Sequence, residues 1–369
     1  MSESSESTVT SETSTLIYGQ ECFDTYQLKV IQLCNSLNLG APSSITRMQG
    51  GCFNRVIGLS FSSKSVPSEY ILHIPREPLE ARERQSIKDQ VAILLHLTAY
   101  LPVANVLAYD YTTENAILSQ YVIQSRIPGS CVEAIYEGLD IEEKIEIAEQ
   151  VAELIVKIES IELSAFGRLV QESPMPDSAH DLSQILNRNI GVQGYRQDLT
   201  KDMPTTSLKT LPELLRAMFK SHGVGDAGDE ELVGYWDRLH LMLSEMESNG
   251  LLSNETITPR LTHWDLSSQN ILVDKTDGVW KVTGVVDWDD AISVPEIIGR
   301  KPPVWLWAPE VRVEDVDVTD VGELNDGQQT IKERVEEVFC RQLPRWRDDA
   351  HLRGKWLRRI WAFARHEFY

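Results

Sequence analysis

Long apolar runs are missing from this sequence. A membrane-spanning helix needs about 18 consecutive apolar residues, and no stretch of the 369 residues approaches that length. The opening segment, residues 1–16, is dominated by Ser, Thr and Glu and lacks the apolar core of a signal peptide. We therefore expect a cytoplasmic protein with no membrane partner. Because residues 1–16 offer almost no apolar surface to bury, they are predicted to form a disordered tail.

Cysteine is scarce and irregularly spaced. The five cysteines are odd in number and include no Cys-x-x-Cys pair. A disulfide framework is indicated by an even number of cysteines, and a structural zinc site by closely spaced pairs. The sequence therefore argues against both, and free thiols are expected.

Positive charge is also under-represented. The chain has 35 Lys and Arg residues against 56 Asp and Glu residues, a formal net charge of −21. Such a surface repels a nucleic-acid backbone and favours neutral or cationic partners, although solubility alone accounts for acidity equally well. We expect no nucleic-acid partner, and a cationic small molecule is compatible with this charge. The oligomeric state is not encoded in these features.

The segment from residue 17 to 124 shows a β-rich pattern with one helix. Apolar runs around a Gly-Gly turn predict a hairpin, and further runs predict three more strands. Between Ala81 and Tyr100 apolar residues recur at steps of three and four, which indicates an amphipathic helix. The predicted strands lie within Ile45–Phe61, Tyr70–Ile74, Asn105–Tyr111 and Ala116–Gln124. We predict a five-stranded sheet with one helix.

The remainder, residues 125–369, is predominantly helical in pattern. Asp140 is placed as the N-cap of a helix whose apolar residues line one face. A single β pair, Ile271–Val273 and Trp280–Val286, is predicted around a turn-rich segment. The predicted fold is therefore α+β, a bilobal architecture with a small β-rich lobe followed by a larger helical lobe.

Candidate catalytic residues surround that β pair. Asp265 and Asn270 have the Asp-x-x-x-x-Asn spacing in a loop that leads into the first strand, and Asp287 follows the second strand at the same end. Phosphoryl transfer requires a carboxylate near the acceptor hydroxyl and oxygen ligands that hold Mg²⁺ on the phosphates. The spacing alone is common, but its position between two strands is typical of the catalytic loop of kinases.

The whole run from Leu261 to Ala291 resembles the H-G-D-x-x-x-x-N and D-W signature of the aminoglycoside phosphotransferase and choline-kinase-like family, which has a protein-kinase-like fold. The resemblance implies that Asp265 is the catalytic base and that Asn270 and Asp287 are Mg²⁺ ligands, with His263 as the signature histidine. Trp264 stands where the family commonly has a small residue. In this feature the chain resembles the fungal-type branch of the family.

The resemblance extends less sharply to a nucleotide-binding segment. Gly50, Gly51, Phe53 and Asn54 resemble the family's nucleotide loop, in which glycines let backbone N–H groups approach the phosphates. The segment ending at Gln124 resembles the hinge that contacts adenine. Without the family context, these features are an ordinary hairpin turn and an ordinary strand end.

One part of the family pattern is altered. The third strand of the family carries Lys or Arg to hold the α- and β-phosphates, and a helix Glu positions that cation. Here the matching residues are His73 and Gln90. A histidine with an ordinary pKa near ~6.5 is mostly neutral at physiological pH. The usual ion pair is therefore predicted to be replaced by a neutral His–Gln hydrogen bond.

The resemblance implies an ATP- and Mg²⁺-dependent enzyme that transfers the γ-phosphoryl group to a hydroxyl of a small molecule. Three alternatives stay open on sequence alone. His73 and Gln90 are compatible with a pseudokinase that binds nucleotide or acts by interaction. A protein kinase is the second alternative. The third alternative is a non-catalytic helical binding protein, in which the motif would be a coincidence.

Overall fold

The chain forms two compact units. The first comprises residues 1–127 with 171–190, and the second comprises residues 128–170 with 191–369. The computed structural model describes residues 19–48, 54–62, 69–76, 81–172, 175–180, 182, 190–193, 208–225, 230–252, 255–309 and 321–365. The tail predicted over residues 1–16 lies outside these ranges.

The described residues form strands and helices in the following order. The strands are β1 (Ser44–Arg47), β2 (Asn54–Ser60), β3 (Glu69–Pro75), β4 (Val106–Asp110), β5 (Tyr121–Ser125), β6 (Ser130–Cys131), β7 (Gly167–Gln171), β8 (Ser178–Ala179), β9 (Ile190–Gln193), β10 (Pro259–Thr262), β11 (Ile271–Thr276), β12 (Val279–Val285) and β13 (Ile292–Pro295). The helices are α1 (Phe23–Ser36), α2 (Ala81–Leu97), α3 (Val132–Tyr136), α4 (Ile141–Glu159), α5 (Leu211–Gly225), α6 (Glu230–Ser248), α7 (Glu296–Gly299), α8 (Asp326–Gln342) and α9 (Arg353–Arg365).

The first unit is built on an antiparallel sheet of six strands in the order β1-β2-β3-β5-β4-β8. The five predicted strands are present, but the prediction of five strands and one helix was wrong. The sixth strand, β8, has only two residues and therefore no readable alternation. Helix α1 was also missed, because its N-cap residue Cys22 makes no capping hydrogen bond.

Helix α1 belongs to the core of this unit. It buries Tyr26, Val30, Leu33 and Cys34, which follow the helical spacing of one face. These side chains pack with inward-facing residues of the sheet, including Leu72 of β3. The apolar face of α1 therefore covers one side of the strands that carry the first unit's candidate residues.

The second unit is mainly helical, as predicted. Asp140 is the N-cap of α4: its side chain accepts a hydrogen bond from the backbone N–H of Glu143 at 2.9 Å, and the Glu143 carboxylate accepts one from the backbone N–H of Asp140 at 3.3 Å. This reciprocal arrangement is a capping box. The cap predicted from the sequence is confirmed.

Two apolar clusters organise this unit. One joins α3, α4, β11 and α8. The other joins α5, α6, β13, α7 and α9, and is called the α5–α9 cluster below. Its innermost residues include Phe219, Leu243 and Trp361, all fully buried. The two clusters provide the rigid support on which the loops between strands are held.

The predicted β pair is present as the antiparallel hairpin β11–β12, extended on one side by β6. It is not the only sheet of the second unit, so that prediction was too narrow. A second sheet has the order β10-β13-β7-β9. Its strands are four or five residues long, and β13 is buried at every position. Short, wholly buried strands lack the alternation that sequence analysis detects.

Strand β12 lies at the edge of its sheet, and side chains of α4 bond that edge. Gln150 Nε2 donates to the carbonyl of Trp280, and Gln150 Oε1 accepts from the backbone N–H of Val282 at 3.1 Å. Glu146 accepts from the backbone N–H of Trp280 at 3.2 Å. These side chains occupy the positions that a neighbouring strand would fill, so the hairpin is fixed to α4.

Replacing Gln150 with Ala is expected to lower the free energy of unfolding by about 1–3 kcal/mol, because a backbone donor and a backbone acceptor both lose their partner. Urea unfolding would measure the change. Gln329→Ala, which removes an exposed glutamine bonded to Glu333 on α8, should change stability by less than about 0.5 kcal/mol. Equal effects of the two substitutions would contradict a specific role for Gln150.

No helix in the described ranges has both the length and the apolar character needed to cross a bilayer.

Candidate functional site

The loop between β10 and β11 is closed by one side chain. The amide nitrogen Nδ2 of Asn270 donates to the backbone carbonyl of Asp265 at 2.9 Å and to its carboxylate Oδ2 at 3.1 Å. Asn270 is buried, whereas Asp265 is exposed. Both bonds use the amide nitrogen, so the Asn270 Oδ1 atom lies on the opposite side of the amide group. The asparagine thus orients the carboxylate and presents an oxygen elsewhere.

Asp287 lies at the same end of the β11–β12 hairpin. Ile271 pairs with Val285, and the backbone N–H of Val286 donates to the carbonyl of Asn270 at 3.0 Å. Asp287 therefore follows directly from a residue bonded to Asn270. Its φ of 64° is in the left-handed region, where Asp is tolerated better than most residues. The structure thus brings the three predicted residues Asp265, Asn270 and Asp287 to one place.

Burial and neighbouring carboxylates raise the pKa of Asp287. Burial among protein atoms is the largest cause, and the carboxylates of Asp265 and Asp290 raise the pKa further. Negative charges that converge without a cation disfavour one another's ionised forms. A bound cation would relieve this repulsion.

His263 connects the strand before the loop to the end of β12. Its Nε2 lies 2.8 Å from the carbonyl of Val286, which can only accept, so Nε2 carries the proton. The ring packs edge-on against Trp288 at 4.5 Å between centroids. Burial lowers the pKa of His263 despite the nearby carboxylates. The signature histidine is therefore a neutral structural link between β10 and Asp287.

Trp264 adopts an unusual backbone conformation beside the candidate base. Its φ of 27° is positive, a region that costs a non-glycine residue on the order of 1–3 kcal/mol. The indole packs against the α5–α9 cluster. The guanidinium carbon of Arg365 lies 4.6 Å from the ring centroid. Surrounding contacts thus hold the strained backbone in place.

The donor set at the hairpin end suits Mg²⁺ held on a phosphate. Mg²⁺ prefers oxygen ligands and takes several of them from water and substrate phosphates, so one or two protein ligands suffice. Asn270 Oδ1 and the Asp287 carboxylate are such oxygens. No group of three or more His, Cys, Asp or Glu side chains suited to a metal occurs among the described residues. Asn270 and Asp287 thus supply two protein oxygens of the kind that Mg²⁺ takes as ligands.

The candidate nucleotide residues lie in the first unit. Asn54 begins β2, where it pairs with Pro75 of β3. Gly50, Gly51 and Phe53 lie outside the described residues. The roles predicted for these four residues stay predictions.

His73 is hydrogen-bonded to a glutamine of the adjacent strand. Gln124 Nε2 lies 2.8 Å from His73 Nε2. An amide nitrogen only donates, so the histidine nitrogen accepts and is unprotonated. His73 pairs with Val122 across the sheet, which makes Gln124 its diagonal neighbour. The sequence predicted a neutral hydrogen bond between His73 and Gln90 of α2, whereas the bond that the structure shows joins His73 to Gln124 of β5. The phosphate-binding role of His73 and Gln90 stays a prediction.

Burial lowers the pKa of His73 to about 4. The histidine is therefore neutral at physiological pH and cannot replace the full positive charge of a lysine or arginine.

The low pKa of His73 predicts a pH-dependent stability. The unfolded chain, with a histidine pKa near ~6.5, takes up a proton before the folded chain does. Stability contributed by His73 is therefore lost as the pH falls from about 6.5 towards 4, by up to about 1.4 kcal/mol per pH unit. His73→Gln should remove this slope in urea unfolding, whereas replacing the exposed His180 of the same unit should not. Parallel slopes for all three proteins would refute the prediction.

Comparison with known proteins identifies the family. The chain belongs to the phosphotransferase enzyme family, whose model matches residues 45–293. That range includes both the first-unit sheet and the loop with Asp265. The chain is thus a member of the class of the phosphotransferases.

Solved structures are similar to this chain at low sequence identity. The streptomycin–ATP–APH(2")-IIa ternary complex is 13% identical, with a TM-score of 0.50, and the match covers 95% of this chain and 93% of that one. Choline kinase from Cryptosporidium parvum is 10% identical, with a TM-score of 0.38, covering 88% of this chain and 84% of that chain. The ternary complex confirms the α+β, protein-kinase-like fold predicted from the sequence.

Curated relatives are more similar in sequence but match over a shorter stretch. The subtelomeric hrmA-associated cluster proteins of two Aspergillus fumigatus strains are each 28% identical over 155 residues, 42% of this chain. The matched stretch spans only 30% of the length of those relatives. Both relatives are fungal, and the assignment to a fungal-type branch stays a prediction.

Proposed function

We propose that the protein is an ATP- and Mg²⁺-dependent phosphotransferase that transfers the γ-phosphoryl group of ATP to a hydroxyl of a small molecule. The observation that carries the proposal is the pair of hydrogen bonds from Asn270 Nδ2 to Asp265, with Asp287 at the same hairpin end. One carboxylate is oriented by an amide, and a second carboxylate is available as a cation ligand. This division of roles is what phosphoryl transfer requires.

In the proposed reaction Asp265 accepts the proton of the acceptor hydroxyl. The hydroxyl oxygen forms a bond to the γ-phosphorus as the bond between that phosphorus and the β,γ-bridging oxygen breaks, releasing ADP. Asn270 fixes the direction of the Asp265 carboxylate through Nδ2. Asn270 Oδ1 and Asp287 would hold Mg²⁺, which would neutralise charge on the phosphates. His263 keeps the end of β12 in place for Asp287.

ATP as donor and a small molecule as acceptor are supported by the family and by the streptomycin–ATP complex of a protein with the same fold. The acidic chain and the carboxylates of Asp265, Asp287 and Asp290 favour an acceptor that carries a positive charge. The same proposal includes the cytoplasmic location expected from the sequence. Aminoglycosides, choline-like amines, sugars and amino alcohols all carry suitable hydroxyls.

The test is incubation of the purified protein with a metabolite pool, ATP and Mg²⁺, followed by mass spectrometry. The expected product gains one phosphate and is absent when Mg²⁺ is chelated or ATP is omitted. Amino alcohols and aminoglycosides would be assayed separately from neutral sugars to test the preference for cations. Absence of any phosphorylated product across all pools, together with absence of ATP hydrolysis, would refute the proposal.

A nucleotide-binding pseudokinase is the second candidate. The neutral His73, bonded to Gln124 and with a pKa of about 4, favours the pseudokinase, because the phosphates of a nucleotide would lack a positively charged partner at this residue. This candidate predicts that ATP raises the melting temperature without turnover. The phosphotransferase predicts both stabilisation and product, so the two measurements together distinguish them.

A further inference from the structure

We propose that the stacked pair of Trp264 and Arg365 positions the Asp265 carboxylate, and that Arg365 is thus a positioning residue for phosphoryl transfer. The inference rests on the proposed function, because it concerns the same carboxylate. It assigns a role to the last residue of α9, which lies far from the catalytic loop in sequence. No motif in the chain indicates this role.

The first step concerns the residues on either side of Trp264. His263 is fixed to the Val286 carbonyl at 2.8 Å, and Asp265 is fixed by Asn270 at 2.9 and 3.1 Å. Trp264 therefore joins two anchored residues through a backbone with a φ of 27°. A change in that angle would rotate the chain between the two anchors. The direction of the Asp265 carboxylate thus depends on what holds Trp264.

The second step concerns the contacts of the indole. One set is apolar, where the ring packs against the α5–α9 cluster. The other is the guanidinium group of Arg365, at 4.6 Å from the ring centroid. A cation over an indole face is attracted by the ring quadrupole, and a half-buried site strengthens the attraction because less water competes. The indole is thus held between a packed cluster and a cation.

The third step concerns how Arg365 is delivered. It occupies the last turn of α9, where the helix dipole favours a cation. The same helix buries Leu357, Ile360, Trp361 and Ala364 in the α5–α9 cluster. Arg365 is therefore carried by a helix whose position is fixed by the core that also supports Trp264. A small residue in place of Trp264 would offer no surface for this contact.

The chain offers a matched control on the same helix. The guanidinium carbon of Arg359 lies 5.0 Å from the ring centroid of Trp356, and both side chains are exposed. This pair is also an arginine beside a tryptophan ring, but neither of its residues is next to the catalytic loop in the sequence. Comparing Arg365→Met with Arg359→Met therefore separates positioning from a general loss of an arginine on α9.

The first measurement does not require activity. Backbone amides of Ser267 and Asn270 donate within the loop at 3.1 and 3.2 Å, so hydrogen exchange of the peptide that contains them reports loop order. Arg365→Met should speed this exchange several-fold, Arg365→Lys should restore it in part, and Arg359→Met should leave it unchanged. Unchanged exchange in Arg365→Met would overturn the inference.

The second measurement uses the acceptor found in the metabolite assay, or ATP hydrolysis. Arg365→Met should lower kcat on the order of tenfold to a hundredfold, as misplacement of a reacting group does, while KM for ATP stays within about twofold. In a protein that already carries Trp264→Leu, Arg365→Met should not lower kcat further, because the indole through which Arg365 acts is already absent. Additive losses would overturn the inference. If the wild-type protein shows no turnover, the proposed function fails while the exchange experiment still decides the positioning role.

Discussion

Asp265→Asn is expected to reduce phosphoryl transfer by on the order of 10³-fold, within the range that loss of a general base produces. The substitution is nearly isosteric, and the new side-chain oxygen can still accept the hydrogen bond that Asn270 Nδ2 now gives to Asp265. The loop should therefore keep its shape, and only the ability to take up the proton of the acceptor hydroxyl is lost. Steady-state kinetics of product formation would measure the effect.

The control for this variant is Asp274→Asn, which replaces an exposed carboxylate on β11 and should leave kcat unchanged. ATP-dependent stabilisation should persist in Asp265→Asn, because this carboxylate is not assigned to the cation or the nucleotide. Full activity of Asp265→Asn would exclude Asp265 as the base. If Asp265→Asn lost activity because it failed to fold, its melting temperature without ATP would fall. Asp265→Glu, which keeps a carboxylate, would help to separate a folding defect from loss of the base.

Asp287→Asn is expected to have two effects of opposite sign. Phosphoryl transfer should fall by on the order of 10²–10³-fold, since a cation ligand worth several kcal/mol of charge stabilisation is weakened. The free protein should become more stable, because the pKa of Asp287 is raised in the folded state. A carboxylate with a raised pKa opposes folding once it is ionised, so the effect is present above the raised pKa and disappears as the pH falls below its unfolded value.

Thermal unfolding at neutral pH, with and without Mg²⁺ and ATP, would measure both effects. Asp277→Asn is the matched control, because Asp277 is exposed at the turn of the same hairpin and has a similar backbone, with a φ of 54° against 64° for Asp287. It should change neither stability nor turnover. A destabilised Asp287→Asn protein that retains Mg²⁺-dependent stabilisation would contradict the ligand role.

The parts of the fold that the sequence predicted are those fixed by local signals. The hairpin β11–β12 follows from two apolar runs around a turn, and the α4 cap follows from an Asp placed directly before a helix with one apolar face. The convergence of Asn270 and Asp287 could be predicted because antiparallel strands of similar length bring their outer ends together. Such features depend on residues near each other in the chain.

The parts that were missed depend on contacts between distant residues. The hydrogen bond between His73 and Gln124 requires the register of β3 against β5, which no local pattern encodes. The stack of Arg365 on Trp264 requires the position of α9 in the core. Strand β8 is too short to be seen at all. The sequence shows the aromatic and charged residues beside the catalytic motif, but it does not show which residues they contact.

Strand β8 also has a consequence for how the chain reaches its native state. The chain leaves the first unit after Ile127 and returns for residues 171–190, where Tyr109 and Asp110 pair with Ala179 and Ser178. Lys88 forms an ion pair with Asp177 at 2.9 Å in the same region. On the ribosome, the first sheet therefore stays incomplete until α4 and β7 have both been synthesised. A fragment ending near residue 127 would leave the edge of β4 unpaired, which makes it prone to association with other chains.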